Sequence, residues 1–223
     1  RFRDAAIAGL SNNKQAVEPV LKLMQSTKNL DLAKACSSVL MSLAAHIPAK
    51  LQTAAAEKAV KLLPTNARLG DMLLDMALAA GGTKLPPFLI DKAIRLRRVH
   101  RHAEALHILA KVGAGEHCTE EVHYQIALIK LLVAADEVEG AGVPGNSTMG
   151  FFTVLIRGGF PLLDRLRAES AIKPEMLLRV ANYFTAAVGV EKRFGIELMQ
   201  FLAARTKGRA GEEARLALRV AGN

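Results

Sequence analysis

Arg95 and Arg98, with Asp91 four positions before the first of them, are the side chains of this 223-residue chain best spaced to recognise a ligand. In a helical register all three lie on one side of the wheel, opposite Leu89, Ala93 and Leu96. A guanidinium presents a planar fork of donors that fits a carboxylate or a phosphate through two parallel bonds. Lys84, Lys92, Arg97, Arg101 and Lys111 surround them, so residues 84–111 carry seven basic side chains against two acidic ones. Lys92, Arg95, Arg98 and Arg101 are therefore expected to anchor a partner, and acidic peptides and nucleic-acid backbones both have the matching chemistry. The competing reading is a solvated face paired within itself, where a helical Asp91–Arg95 pair is worth about 0.2–0.5 kcal/mol.

Other reactive residue types are less well arranged. His100, His102, His107, His117 and His123 cluster near Cys118. A metal needs three or four ligands converging on it, usually from short recurrent spacings. Here His-x-His straddles a helix join, Cys118 and His123 straddle a helix start, and no His-Glu-x-x-His occurs. No metal or cofactor is expected. The loop Gly142-Val-Pro-Gly-Asn-Ser-Thr148 has glycines and hydroxyls, but it lacks the lysine and preceding strand that a phosphate-binding loop needs.

Val143-Pro144-Gly145, followed by Phe160-Pro-Leu-Leu-Asp164, resembles the hairpin and downstream aspartate of the helix-hairpin-helix DNA glycosylases. That resemblance implies an enzyme in which Asp164 stabilises cationic charge at the sugar. Asn146 and Ser147 stand where the family has an apolar residue and a second glycine. The chain has no tryptophan and two tyrosines with which to stack a displaced base. A surface Asp164 paired with Arg167 or Arg165 is the alternative.

Helices must position all of these residues. Apolar residues recur at 3- and 4-residue spacing from Phe2 to Val220, with almost no alternating strand pattern. Asn12 or Asn13, Asn29 with Asp31, and Thr119 with Glu120 and Glu121 mark helix starts. Pro48 and Pro86-Pro87 suit first turns, where a missing amide donor costs nothing. Helices are predicted after Asn13, after Asp31, from Pro48 to Leu63, from Asn66 to Ala80, from Phe88 to Val99, from His102 to Val112 and from Thr119 to Val138. Further helices are predicted over Met149–Ile156, Pro161–Glu169, Pro174–Val188, Glu191–Arg205 and Gly211–Val220. Gly140 to Thr148 is the one long internal run of breakers, so the chain is expected to comprise a helical-repeat half at 1–139, a loop at 140–148 and a helical-repeat half at 149–223, packed as one continuous array. Phe151, Phe152 and Phe160 lie near that loop, and Tyr183, Phe184, Phe194 and Phe201 recur at spacings expected of core residues.

Leu89, Ala93 and Leu96, then Ala105 and Leu109, resemble the apolar and small positions of one tetratricopeptide repeat, with Lys92 a departure. The first 80 residues are more similar to HEAT or armadillo pairs. Short turns between such helices imply antiparallel neighbours and a right-handed α-α superhelix of about six pairs. The fold class is thus all-α. The formal charge of +9 points to a charged binding surface. Cys36 and Cys118 form no short-spaced pair and are expected to be free thiols in a reducing, cytoplasmic setting. No run of 18 uncharged apolar residues occurs, so no membrane span is expected. A start at Arg1 suggests a piece of a longer polypeptide. The expected function is a non-catalytic scaffold for a protein or acidic peptide, with nucleic-acid backbone binding as the alternative.

Overall fold

The computed structural model describes residues 2–114, 119–139 and 159–221, and these form helices joined by turns with no strand among them. Contacts divide the chain into two compact units, Arg1–Thr119 and Glu120–Asn223. The division precedes the 140–148 loop predicted from sequence, which lies outside the described residues together with Met149–Ile156, Phe151, Phe152, His117 and Cys118.

The first unit holds α1 (Phe2–Ser11), α2 (Val17–Ser26), α3 (Leu30–Ser42), α4 (Ala49–Leu62), α5 (Ala67–Ala79), α6 (Leu85–Arg98) and α7 (His102–Gly113). Three-residue 3-10 turns at Lys14–Ala16 and Ala44–His46 were not legible in the apolar pattern, being too short to show a period. The start signals operate as side-chain caps. The Asn29 carboxamide accepts from the amides of Asp31 and Leu32 at 2.9 and 3.1 Å, and that of Asn66 accepts from Leu69 at 3.2 Å. Pro48 is the residue preceding α4, and α6 begins at Leu85, ahead of the predicted Phe88, because both prolines fit its first turn.

Consecutive helices pack as pairs, α2 on α3, α4 on α5 and α6 on α7. Between pairs, α3 packs on α5, α5 on α7 and α4 on α6. Thus α3, α5 and α7 share one layer, and α4 and α6 another. The tight α4–α5 pair follows from small residues. Ala55, Ala56 and Ala59 are fully buried on α4, while a Cβ at Gly70 of α5 would stand 3.1 Å from the Ala59 carbonyl oxygen. Leu73, Leu74 and Met76 of α5 are fully buried, and each such leucine contributes about 1.5–3 kcal/mol of apolar transfer.

The second unit holds α8 (Glu120–Glu139), α9 (helical over 159–167), α10 (Pro174–Thr185), α11 (Gly189–Arg205) and α12 (Arg209–Ala221). Helix α10 packs on α8, α11 and α12, and α11 also packs on α12. Successive residues Ala127, Leu128 and Ile129 of α8 are all fully buried, so this helix is enclosed on several sides. Of the aromatics spaced as core residues, Phe184, Phe194 and Phe201 are buried and Tyr183 is partly buried. Phe184 meets Phe194 and Phe201 meets Phe160 edge to face, with centroids 5.4 and 5.5 Å apart. Gly195 brings α11 close to α10, since a Cβ there would meet the backbone of Phe184 and Thr185. Among the described residues no helix is long and apolar enough to cross a membrane.

Candidate functional site

The α4–α6 layer carries seven basic side chains against two acidic ones. Helix α6 contributes Lys92, Arg95, Arg97 and Arg98 against Asp91, and α4 adds Lys50, Lys58 and Lys61 against Glu57. The layer of α3, α5 and α7 has Lys34, Arg68 and Lys111 against Asp31, Asp71, Asp75 and Glu104. Charge is therefore sorted by layer. The α4 lysines escaped the sequence reading because they lie some thirty positions before α6. Their spacing of eight and then three residues, which puts all of them on one face, was the signal that could have found them.

Each predicted anchor has a distinct environment. Lys92 is half-buried, with its ammonium 3.9 Å from a Glu57 oxygen and 5.1 Å from the Phe88 ring centroid. Val60 and Lys61 complete a shallow depression with Glu57 and Lys92. Arg95 pairs with Asp91 at 2.8 Å while both remain exposed, as a helical i to i+4 pair should. Arg98 is exposed and, like Lys50, Lys58 and Lys61, makes no ion pair among the described residues. Arg101 stands apart, in the join between α6 and α7, where its Nε donates to Glu104 at 3.0 Å. Burial opposes ionisation of Glu104, but its own backbone amide and Arg101 outweigh that and hold the carboxyl below its ordinary range.

The join is strained. His100 has φ 58°, a left-handed conformation that costs most residues about 1–2 kcal/mol. Its amide donates to the Arg97 carbonyl and the Arg101 amide to the Leu96 carbonyl, both at 3.0 Å, closing α6 in a Schellman cap. The cap turns the chain sharply after the basic end of α6.

No family model, curated protein or solved structure matches this chain.

The remaining candidates are engaged in packing contacts. Lys111, grouped by sequence with the basic block, lies in the other layer. Its ammonium donates to the Asp75 oxygens at 2.8 and 3.0 Å and sits 3.3 Å from Asp71, whose other neighbour is His107 Nε2 at 2.5 Å. Partial burial works against the charge on Lys111, but the two aspartates raise its pKa above the usual lysine range. Among the described residues no group of three or more His, Cys, Asp or Glu could hold a metal ion.

Asp164, the catalytic candidate of the glycosylase resemblance, lies on α9 between the guanidiniums of Arg167 at 3.6 Å and Arg205 at 3.5 Å. Arg167 also donates to the Arg205 carbonyl at the end of α11, at 2.8 Å. These contacts tie α9 to α11. Arg165 turns the other way, stacking 3.7 Å from the Tyr124 ring centroid and pairing with Glu121 at 2.5 Å on α8. The matching hairpin residues, Val143 to Gly145, lie outside the described residues.

Proposed function

We propose that this chain is a non-catalytic helical-repeat scaffold that binds an acidic segment of a protein partner on the α4–α6 face. In its finer form the fold is a right-handed α-α superhelix of about six antiparallel pairs, TPR-like or HEAT-like in kind. The observation that carries the reading is the sorting of charge between layers, with Lys50, Lys58, Lys61 and Arg98 lacking an intramolecular carboxylate among the described residues. Lys92, Arg95 and Arg98 supply further charge at the contact, and Arg101 extends it at the join. A protein segment suits the face better than a phosphate ladder. Glu57 and Asp91 interrupt the cations, and Val60 and Phe88 offer apolar surface that peptide side chains can cover.

The nucleic-acid alternative draws on the same cations, since backbone contacts need only Lys, Arg and amides. Single-strand stacking is poorly supplied, because Phe184, Phe194 and Phe201 are consumed in the core.

The test is fluorescence anisotropy with a labelled glutamate-rich peptide and a labelled duplex DNA. Wild type, Arg95→Glu/Arg98→Glu and Asp164→Asn are compared across roughly 50–200 mM salt. The expected result is peptide binding that weakens about tenfold, or ~1.4 kcal/mol, in the double reversal and is unchanged in Asp164→Asn. Duplex binding tighter than peptide binding, with a steep salt slope, would transfer the face to nucleic acid. Equal binding by all three proteins would remove the site from α6.

A further inference from the structure

The far end of the second unit carries an apolar groove that its own core does not use. It runs between α10 and α12 and is lined by Leu178, Asn182, Glu213, Leu216, Ala217 and Val220, enclosing about 470 Å³. Leu216 and Val220 are 63% and 71% exposed, on a helix whose opposite face buries Ala210 and Ala214. Contiguous exposed apolar surface rimmed by charge marks an interaction site more often than an isolated exposed leucine does.

The charges on that face say what covers it. Glu213, Leu216 and Arg219 follow one another at three-residue steps, all exposed, so the stripe reads acid, apolar, base along the helix. Laid antiparallel against a second copy of itself about Leu216, the stripe sets Glu213 against Arg219 at both ends and leucine against leucine in the middle. Laid parallel, it sets Glu213 against Glu213 and Arg219 against Arg219. A stripe complementary to itself in only one orientation is the requirement for a two-fold isologous contact. Glu213 already has Arg209 within 2.6 Å on its own helix, whereas Arg219 makes no ion pair among the described residues. A second copy laid antiparallel would bring a carboxylate to Arg219.

We infer that this chain forms a two-fold homodimer through antiparallel pairing of α12 across the α10–α12 groove.

Sedimentation velocity of the full chain over roughly 1 μM to 1 mM tests this, the span in which associations of moderate strength show themselves. Wild type is expected to pass from monomer to dimer. Leu216→Glu is expected to stay monomeric throughout, with an unchanged helical circular dichroism spectrum. Glu213→Arg and Arg219→Glu, each alone, place like charges together and should weaken self-association by about tenfold. The swap Glu213→Arg/Arg219→Glu restores opposite charges only in the antiparallel arrangement and should recover the wild-type constant. That recovery decides the matter even where Leu216→Glu fails to fold. A wild type that remains monomeric to the top of the range, or a swap no better than the single changes, overturns the proposal.

Discussion

His107 and Lys111 on α7, facing Asp71 and Asp75 on α5, show what a charged side chain does when its partner comes from another helix pair. Burial tends to raise the Asp71 pKa, but the hydrogen bond and charge of His107 and the ammonium of Lys111 overcome it and leave the carboxyl below its ordinary range. A carboxyl lowered in the folded state contributes stability above its unfolded pKa of about 3.9 and loses it as pH falls through the folded value. Asp71→Asn should therefore cost about 0.5–1 kcal/mol at pH 7, the range for a partly exposed network, with the deficit shrinking as pH drops below about 4. Urea titrations of both proteins at pH 7 and pH 3 check this, and an equal deficit at both values would remove the ionic explanation. The sequence could not show this contact. His107 stands 36 positions from Asp71, and only the packing of α5 on α7 brings them together, so Lys111 read as part of a basic block it does not join. Asp91–Arg95 was legible because its spacing is local.

At the scale of the element, several boundaries followed from the side-chain chemistry of a cap or a proline. Asn29, Asn66 and Pro174 begin or precede helices as their types require. The end of α6 had no such signal, because the left-handed position falls on His100 and not on glycine. His100→Gly should release about 1–2 kcal/mol of strain against about 0.5–1 kcal/mol for the greater freedom of glycine in the unfolded chain, a net gain of about 0.5–1 kcal/mol. Thermal denaturation of the two proteins measures the difference. A destabilised variant would mean that the His100 ring, 5.7 Å from that of His102, holds the join more than the backbone strain loosens it. The start of α10 at Pro174 and the end of α11 at Arg205 stand where the sequence placed them, whereas the expected end at Val188 and start at Glu191 do not. The helix α10 stops at Thr185, where the Ala186 and Ala187 amides turn back to Tyr183 and Phe184, and α11 begins at Gly189.

Taken whole, the chain carries two compact units, each with apolar residues enough for its own core. Leu73 is fully buried in the first, and Leu73→Ala should destabilise by about 2–5 kcal/mol through lost contacts and a residual cavity. Amide hydrogen exchange should then show protection lost mainly in 2–114, with 159–221 less affected, since contiguous compact segments open as units. Uniform loss over both would mean that they unfold as one. All-α architecture was legible because helical periodicity needs only near neighbours, whereas the layer to which each helix belongs depends on contacts between pairs. That layering has an electrical consequence. With cations concentrated on α4 and α6 and carboxylates on the layer of α5 and α7, the first unit has a dipole moment across its thickness. An oppositely charged body approaching through solvent exerts a torque on such a dipole, so the basic face is turned forward before any side chain touches, and encounters become more frequent at low ionic strength than collision geometry alone allows.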